Sequence, residues 1–211
     1  MYKAYVFDID GTLLDTAPTI LNYIAQSITL SGLKVDRSAI NQKLIGPKIA
    51  EIIEILGLSH KEEDKQIVVK HFRELYDNAP ISETKPYFQG MALLRQAQKE
   101  TSNLFIATNK PIKPTEKLLQ HFKLECFKDV YTPNRYADKV ISKTDMLQEI
   151  ISKNHFQPEN ILFIGDTKGD LDAARATGCK FAFATWGYAE NKAEIREQSD
   201  IILDENSLNL I

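Results

Sequence analysis

The sequence predicts an α/β fold, in which a parallel sheet is covered by helices on both faces and interrupted by an all-helical insertion. Short apolar runs rich in β-branched and aromatic residues alternate with longer amphipathic ones. Nearly continuous apolar strands separated by helices are typical of parallel sheets. One block of the chain breaks this alternation and shows only helical spacing. The length of 211 residues falls between one domain and two.

Six strands are predicted at the short apolar runs, and helices between most of them. The strands are 5–7, 104–107, 130–131, 161–164, 181–184 and 201–203. The helices are 87–100, 113–122, 143–153 and 170–177. The last helix stops before Gly178, because glycine tolerates the left-handed conformation that commonly ends a helix.

Residues 16–85 form the block without strands. Apolar residues recur there at helical spacing, first at Ile20, Ile24 and Ile28 and later from Ile67 to Tyr76. Ser59 to Glu62 predicts a capping box before the later helix. We therefore expect a helical domain at 16–85 inserted into an α/β core of 1–15 plus 86–211. The chain should cross between them after Asp15 and again between Pro80 and Pro86, where turn-forming residues gather.

Composition and charge exclude several classes of protein. The 26 basic and 29 acidic residues give a net charge of −3, which offers no broad positive surface for nucleic acid or an anionic membrane. No run approaches the roughly 18 apolar residues of a membrane span, and Asp8 comes too early for a signal peptide. Cys126 and Cys179 are expected to be reduced thiols. We expect a soluble cytoplasmic protein that is a monomer or a homodimer.

Polar residues suited to phosphate chemistry follow the first two strands of the predicted core. Asp8 and Asp10 follow the first strand directly, although Asp10-Gly11 is also a common turn dipeptide. Thr108-Asn109 follows the next strand, and on its own this pair is more often a helix cap than a ligand.

The remaining signals lie further along the chain. Lys143 begins a predicted helix, and Gly165-Asp166 with Asp170 follows the strand at 161–164. Each signal alone has an ordinary structural explanation, such as an exposed lysine or an acidic helix cap. The carboxyl ends of parallel strands meet at one edge of a sheet, so their placement at successive strand ends predicts one shared site there.

In this order the motifs resemble those of the haloacid dehalogenase superfamily, on its magnesium-dependent phosphatase side. The stretch from Asp8 to Thr16 matches the first motif, and Thr108-Asn109, Lys143 and Gly165-Asp166 with Asp170 match the other three. Thr185 to Tyr188 and Gly46-Pro47 are similar to the phosphoglycolate phosphatase-like group. The resemblance implies a Rossmann-like core and a helical cap that closes over the site.

One position departs from the group's pattern. Its members usually follow the motif lysine with proline, whereas this sequence has Thr144, and Lys139 is close enough to compete for the role. We favour Lys143, since it begins an amphipathic helix whose Met146 and Leu147 face the predicted core.

The resemblance also implies a reaction and roles for the residues. Asp8 would attack phosphorus to give an aspartyl-phosphate, and Asp10 would protonate the leaving group and then activate water. Mg²⁺ would be held by the Asp8 and Asp166 carboxylates and the backbone carbonyl of Asp10, with Asp170 in support. The residues expected to bind substrate are Gly11, Thr108, Asn109, Lys143 and Lys48.

The expected activity is hydrolysis of a small phosphorylated metabolite, such as phosphoglycolate or a sugar or nucleotide phosphate. A sugar phosphomutase would use the same aspartate pair, and a noncatalytic metabolite-binding module is a further alternative. Lys48, beside Gly46-Pro47, is the insertion residue placed to reach substrate, although a lysine at the start of a helix needs no such role.

Overall fold

A computed structural model describes residues 2–78, 81 and 83–204. The chain forms two compact units, one of residues 1–15 with 85–211 and the other of residues 16–84. Pro80, where the second crossing was predicted to begin, lies outside the described residues.

The helices of both units are α1 (Ala17–Leu30), α2 (Ile49–Ile55), α3 (Glu62–Tyr76), α4 (Phe88–Glu100), α5 (Ile112–His121), α6 (Lys143–Asn154), α7 (Lys168–Thr177) and α8 (Lys192–Gln198). The strands are β1 (Ala4–Phe7), β2 (Leu14–Asp15), β3 (Lys85–Pro86), β4 (Leu104–Ala107), β5 (Asp129–Tyr131), β6 (Ile161–Gly165), β7 (Lys180–Ala184) and β8 (Ile201–Leu203).

The first unit is built on a six-stranded parallel sheet of order β5-β4-β1-β6-β7-β8. This confirms the predicted α/β fold. β1 lies in the middle, where Val6 pairs with Phe105 of β4 on one side and Phe163 of β6 on the other. Along the chain, the sheet extends from β1 through β4 to β5 on one side, and then from β6 through β7 to β8 on the other. Such a reversal opens a crevice at the carboxyl ends of the strands, so the loops after β1, β4 and β6 leave side by side.

The core of this unit explains why its strands read as unbroken apolar runs. β1 and β4 are buried along their whole length, as is β6. Met146 and Leu147 of α6 and Leu171 of α7 pack in the same cluster as Val6 and Phe163. A strand that is covered on both faces cannot show the alternation of polar and apolar residues that marks a half-exposed strand.

Two capping boxes begin helices α6 and α7, which start at the carboxyl edge of the sheet. The Ser142 side chain accepts a hydrogen bond from the Asp145 N–H of α6, and the Asp145 carboxylate accepts one from the Ser142 N–H. Thr167 and Asp170 make the same reciprocal pair at the start of α7. The predicted stop after α7 is confirmed, since Gly178 has a φ of +77°.

The second unit has its own core of helix-borne side chains. Ile24 and Ile28 of α1 pack in one cluster with Ile53 of α2 and with Val68 and Phe72 of α3. The spacing predicted in α1 is therefore confirmed. The helices are joined by 3₁₀ turns at Arg37–Ala39 and Gln42–Leu44.

The helix predicted from Ile67 to Tyr76 is confirmed by α3, whereas the capping prediction before it was wrong. Ile67 is 44% exposed, because the buried stripe of α3 begins one residue later at Val68, which lies about 100° further round the helix. The capping box at Ser59 does not form. The Ser59 hydroxyl donates to the Asp64 carboxylate at 2.5 Å and accepts from the Lys61 N–H, and α3 begins at Glu62.

Three short elements were not predicted from the sequence. β2 and β3 pair in antiparallel fashion, with Leu14 opposite Pro86 and Asp15 opposite Lys85. α8 precedes the last strand of the sheet.

Within the part of the chain that the structure describes, none of the helices has both the length and the apolar character needed to cross a bilayer.

Candidate active site at the carboxyl edge of the sheet

Asp8 is the first residue after the central strand β1, and it is 5% exposed. Its N–H donates to the carbonyl of Ile164 at 2.9 Å, which continues the pairing of β1 with β6. One carboxylate oxygen, Oδ1, accepts from the Ile9 N–H at 2.7 Å. The other, Oδ2, lies 2.6 Å from the Lys143 ammonium. The side chain is therefore held at both oxygens at the edge of the sheet.

Lys143 is the first residue of α6 and is 7% exposed. Its ammonium contacts the Asp170 carboxylate as well as Asp8. Burial by itself would lower the pKa of Lys143, but the charges of Asp170 and Asp8 outweigh burial and raise the pKa above its ordinary value. Lys143 thus carries a buried positive charge between two carboxylates, whereas the competing Lys139 is exposed.

Asp166 follows β6 and is fully buried. Its carboxylate accepts a hydrogen bond from the Tyr188 N–H at 2.7 Å and a longer one from the Thr12 hydroxyl at 3.4 Å. Burial raises the pKa of Asp166 well above its usual range, and the nearby charges of Asp170 and Asp8 add to this shift.

The segment after β7 supports Asp166. Tyr188 supplies the N–H just described, and its phenol donates to the Asp15 carboxylate at 2.9 Å. The indole N–H of Trp186 donates to the backbone carbonyl of Thr12 at 3.1 Å. These bonds join residues 185–188 to the loop after β1. They give a structural reason for the stretch from Thr185 to Tyr188, which the sequence singled out by its resemblance to the phosphoglycolate phosphatase-like group.

Glycines let the surrounding loops close on the buried carboxylates. A Cβ at Gly11 would lie 2.2 Å from an Asp166 oxygen, and one at Gly187 would lie 2.3 Å from the Asp166 Cβ. Gly165 approaches Asp170 in the same way, with a distance of 2.6 Å. Gly11 also has a φ of +78°, which disfavours any other residue.

The acidic side chains form a cluster that suits a divalent cation. Ligand atoms of Asp8, Asp166 and Asp170 all lie within 4.8 Å of one another. With Lys143 among them, the fully ionised cluster has a net charge of −2. Burial raises the pKa of Asp8 to about 6. The nearby charges of Asp170 and Asp10 also raise this pKa and so oppose the lowering caused by Lys143. Mg²⁺ prefers such carboxylate oxygens and would neutralise this charge.

Asp170 also has a second partner. Its Oδ2 accepts from the N–H and the hydroxyl of Thr167, at 2.9 and 2.7 Å, while Oδ1 contacts Lys143. The capping box of α7 therefore orients the carboxylate that holds the lysine.

Asp10 lies two residues after Asp8, and its carboxylate has a different partner. The Lys110 ammonium lies 3.0 Å from Asp10 Oδ2, with 2% of the lysine side chain and 18% of the aspartate side chain exposed. Sequence reasoning missed Lys110. Its signal was its position immediately after Thr108-Asn109, at the end of a predicted core strand.

The other predicted binding residues are arranged as follows. Thr108 is 1% exposed, its N–H donates to the carbonyl of Tyr131 at 3.1 Å, and its hydroxyl accepts from the Lys110 N–H at 3.3 Å. Asn109 is exposed. Lys48 belongs to the second unit, where its side chain is 85% exposed and its ammonium lies 3.9 Å from Glu51.

This sheet edge combines a restrained carboxylate, a second carboxylate two residues away, a buried ammonium and an acidic cluster suited to a cation. Phosphoryl transfer to a carboxylate needs these groups, because charge must be neutralised around phosphorus. A family model described as haloacid dehalogenase-like hydrolase matches residues 5–184. The chain belongs to the haloacid dehalogenase-like hydrolase family. The predicted family and hydrolase class are thereby confirmed.

Curated relatives of this haloacid dehalogenase-like hydrolase carry different names. A phosphoglycolate phosphatase from Aquifex aeolicus is 28% identical over 197 residues, which are 92% of this chain and 89% of that protein. An N-acetylmuramic acid 6-phosphate phosphatase from Pseudomonas aeruginosa is 27% identical over 88% of this chain and 83% of its own length. A tyrosine-protein kinase, PtkA, from Mycobacterium bovis is 27% identical over 87% of this chain but only 62% of its own length.

Solved structures show the same fold. A haloacid dehalogenase-like family hydrolase from Streptococcus pneumoniae superposes with a TM-score of 0.83 at 24% identity, covering 95% of this chain and 93% of that one. CbbY from Rhodobacter sphaeroides, solved in complex with phosphate, has a TM-score of 0.72 at 20% identity and covers 99% and 95% of the two chains.

Proposed function

We propose that this protein is a Mg²⁺-dependent phosphatase that hydrolyses a small phosphate monoester through an aspartyl-phosphate on Asp8. The observation that carries the proposal is the environment of Asp8. A buried carboxylate with both oxygens hydrogen-bonded lies against an ammonium and within reach of two further carboxylates. The relatives named as phosphatases support hydrolysis over other outcomes of phosphoryl transfer.

In the first step a carboxylate oxygen of Asp8 attacks phosphorus, and the bond between phosphorus and the ester oxygen breaks. The leaving oxygen takes the electron pair and a proton from Asp10, which has the more exposed carboxylate of the pair. Lys143, with the Thr108 hydroxyl and the Asn109 N–H, binds the phosphoryl oxygens.

In the second step a water molecule attacks phosphorus and gives its proton to Asp10. The bond between phosphorus and Asp8 breaks, which releases inorganic phosphate and restores the carboxylate. Asp8 and Asp166 would hold Mg²⁺, with the backbone carbonyl of Asp10 as a further ligand and Asp170 in support. When bound, the ion supplies positive charge that offsets the repulsion between the carboxylate and the phosphate dianion.

The helical unit of residues 16–84 stands in the chain where the resemblance implies a cap. We assign it the selection of the leaving group. Lys48 is the candidate contact there, because its long side chain is 85% exposed and its pairing with Glu51 at 3.9 Å is a surface one. Lys48→Ala is expected to raise KM with little change in kcat.

A phosphate-release assay over a panel of esters, with and without Mg²⁺, tests the function. The panel includes 2-phosphoglycolate, N-acetylmuramic acid 6-phosphate, hexose phosphates, nucleoside monophosphates and p-nitrophenyl phosphate. We expect Mg²⁺-dependent release of phosphate from at least one small ester. Asp8→Asn should abolish release, whereas Asp172→Asn, at an exposed aspartate of α7, should keep it.

Two outcomes would contradict the proposal. Release that survives in Asp8→Asn would remove Asp8 as the nucleophile. Transfer of the phosphoryl group between positions of a sugar, with no free phosphate, would identify a mutase.

A further inference from the structure

We propose that Lys110 is a positioning residue, which holds the Asp10 carboxylate in the orientation needed for proton transfer to the leaving group. This inference rests on the proposed function. It assigns a role to a buried lysine that neither the motifs nor the mechanism above account for.

The first observation is the contact itself. The Lys110 ammonium lies 3.0 Å from Asp10 Oδ2, a hydrogen-bonding distance for a charged pair. Only 2% of the lysine side chain is exposed, whereas 18% of the aspartate side chain is exposed. Lys110 is thus withdrawn from solvent behind the carboxylate, and Asp10 is the member of the pair that an incoming ester would meet.

The second observation is how the lysine is held. The Lys110 N–H donates to the Thr108 hydroxyl at 3.3 Å, and its carbonyl accepts from the Thr115 hydroxyl at 3.4 Å. Thr108 and Thr115 are both buried. Pro111 follows, and its ring fixes the backbone just before α5. The backbone that carries the ammonium is therefore restrained on both sides, as a positioning group requires.

The third step concerns the chemistry of Asp10. A proton donor must come within about 2.6–3.2 Å of the atom that it serves. Asp10 has a short side chain on the loop after β1, where Gly11 turns the backbone with a φ of +78°. A contact at Oδ2 limits rotation of the carboxylate. Misplacement by about 1 Å can cost roughly 100-fold in rate.

One measurement distinguishes a Lys110 that positions the Asp10 carboxylate from a Lys110 that only neutralises its charge. Proton transfer from Asp10 matters for an alkyl phosphate, whose alkoxide is a poor leaving group. It matters far less for p-nitrophenyl phosphate, whose phenolate departs without a proton. The value of kcat/KM covers the steps up to departure of the leaving group and excludes the later hydrolysis of the aspartyl-phosphate, which both esters share. Loss of a positioning group for the acid therefore changes the ratio of the two kcat/KM values, whereas general damage to the site lowers both alike.

The experiment compares kcat/KM for p-nitrophenyl phosphate with kcat/KM for the alkyl phosphate of the panel that the wild-type protein hydrolyses fastest. Lys110→Met should lower kcat/KM for the alkyl ester by about 10-fold or more, a part of the roughly 10²–10⁴-fold that general acid catalysis supplies. The kcat/KM for p-nitrophenyl phosphate should fall by less than about 3-fold under the same principle. Asp10→Asn should show the same selectivity, and adding Lys110→Met to it should have little further effect.

Lys113→Met is the matched control, because Lys113 is an exposed lysine of the neighbouring helix α5. It should leave both rates unchanged. Equal losses on both esters in Lys110→Met, or full additivity with Asp10→Asn, would overturn the positioning role while leaving the proposed function intact. If Lys110→Met does not fold, the uncharged Lys110→Gln provides the comparison, and a folded variant with the wild-type ratio of kcat/KM values contradicts the role. A wild-type protein that hydrolyses neither ester defeats both proposals.

Discussion

At the scale of single residues, Lys143 joins the nucleophile candidate to the start of α7. Its ammonium contacts Asp8 at 2.6 Å and also Asp170. Lys143→Met would leave these buried carboxylates without their cation. We expect phosphate release to fall by about 100-fold or more, as for other lost oxyanion donors, and the free energy of unfolding to fall by about 3 kcal/mol. Initial rates and urea denaturation monitored by circular dichroism measure the two effects.

Lys139→Met is the control for this change, since Lys139 is exposed and lies four residues earlier. It should leave rate and stability near wild type. The opposite pattern, with Lys139→Met inactive and Lys143→Met active, would give the role to Lys139.

Gly187 offers a second test at this scale. An alanine there would place its Cβ 2.3 Å from the Asp166 Cβ, so the carboxylate must move. Gly187→Ala should cost about 1–3 kcal/mol, the usual range for overpacking. It should also reduce the rise in Tm that Mg²⁺ produces in the wild-type protein. Differential scanning calorimetry with and without Mg²⁺ measures both.

Gly169→Ala is the matched control, because a Cβ there meets its nearest atom at an ordinary 3.7 Å. Its Tm and its response to Mg²⁺ should match or exceed those of wild type. An unchanged Mg²⁺ response in Gly187→Ala would show that Asp166 does not hold the ion.

Some residues of the site could be predicted from the sequence and others could not. Asp8, Asp166 and Lys143 could be singled out because their types and their placement at strand ends are unusual together. Lys110 was missed although it follows Thr108-Asn109 at a strand end, since one lysine in a polar loop resembles any exposed lysine in the sequence. Its burial depends on the approach of Asp10 from a loop 100 residues earlier, and local sequence does not record that approach.

At the scale of elements, the edge strand β5 is anchored by an ion pair. Arg135 donates two hydrogen bonds to Asp129, each 2.8 Å long, and its guanidinium lies 4.2 Å from the centre of the Tyr131 ring. Burial opposes ionisation of Asp129, but the hydrogen bonds from Arg135 and from the Val130 N–H, together with the charge of Arg135, outweigh it and lower the pKa of that carboxyl.

This pair gives a pH-dependent prediction. A carboxyl whose pKa is lowered by folding stabilises the native state above its unfolded pKa of about 3.9, and the benefit is lost as the pH falls through the lower folded value. Asp129→Asn should reduce the free energy of unfolding by about 1 kcal/mol or less at pH 7, since the pair is partly exposed. The difference from wild type should shrink in acid. Urea titrations of both proteins at pH 7 and pH 3 measure it, and a constant difference would contradict the role of the charge.

The helices and strands differ in how clearly the local sequence predicts them. The strands of the large sheet were predicted because a strand covered on both faces must be apolar throughout, as 161–164 shows. β2 and β3 are two residues each and pair across some 70 residues of chain, so neither has a pattern of its own. In α3 the prediction included Phe72 and Tyr76 of the buried stripe but named Ile67 in place of Val68, because the two neighbours are equally apolar.

At the scale of the whole molecule, each compact unit has its own apolar core. Ile53 is fully buried in the core of the helical unit. Ile53→Ala should remove about 2–5 kcal/mol of stability. Because this loss falls on one core, hydrogen exchange should accelerate across residues 16–84 and remain slow in β1, β4 and β6.

Native-state hydrogen exchange followed by mass spectrometry provides this measurement. Ile55→Ala is a suitable control, since Ile55 lies on the same helix and is 60% exposed. Equal acceleration in both units for Ile53→Ala would show that the two cores unfold as one.

The central place of β1 has a consequence for how the protein is made. The strand that leads to Asp8 is synthesised well before its partners β4 and β6, which begin at residues 104 and 161, and before Tyr188, whose N–H holds Asp166. At about 5–20 residues per second, roughly 10–40 s of translation separate Asp8 from Tyr188. Until β4 has been made, about 100 residues after Asp8 and roughly 5–20 s later, the apolar β1 has neither neighbour in the sheet. The nucleophile is therefore synthesised long before the cation site can form. A chain released early would expose the apolar strand β1 to solvent.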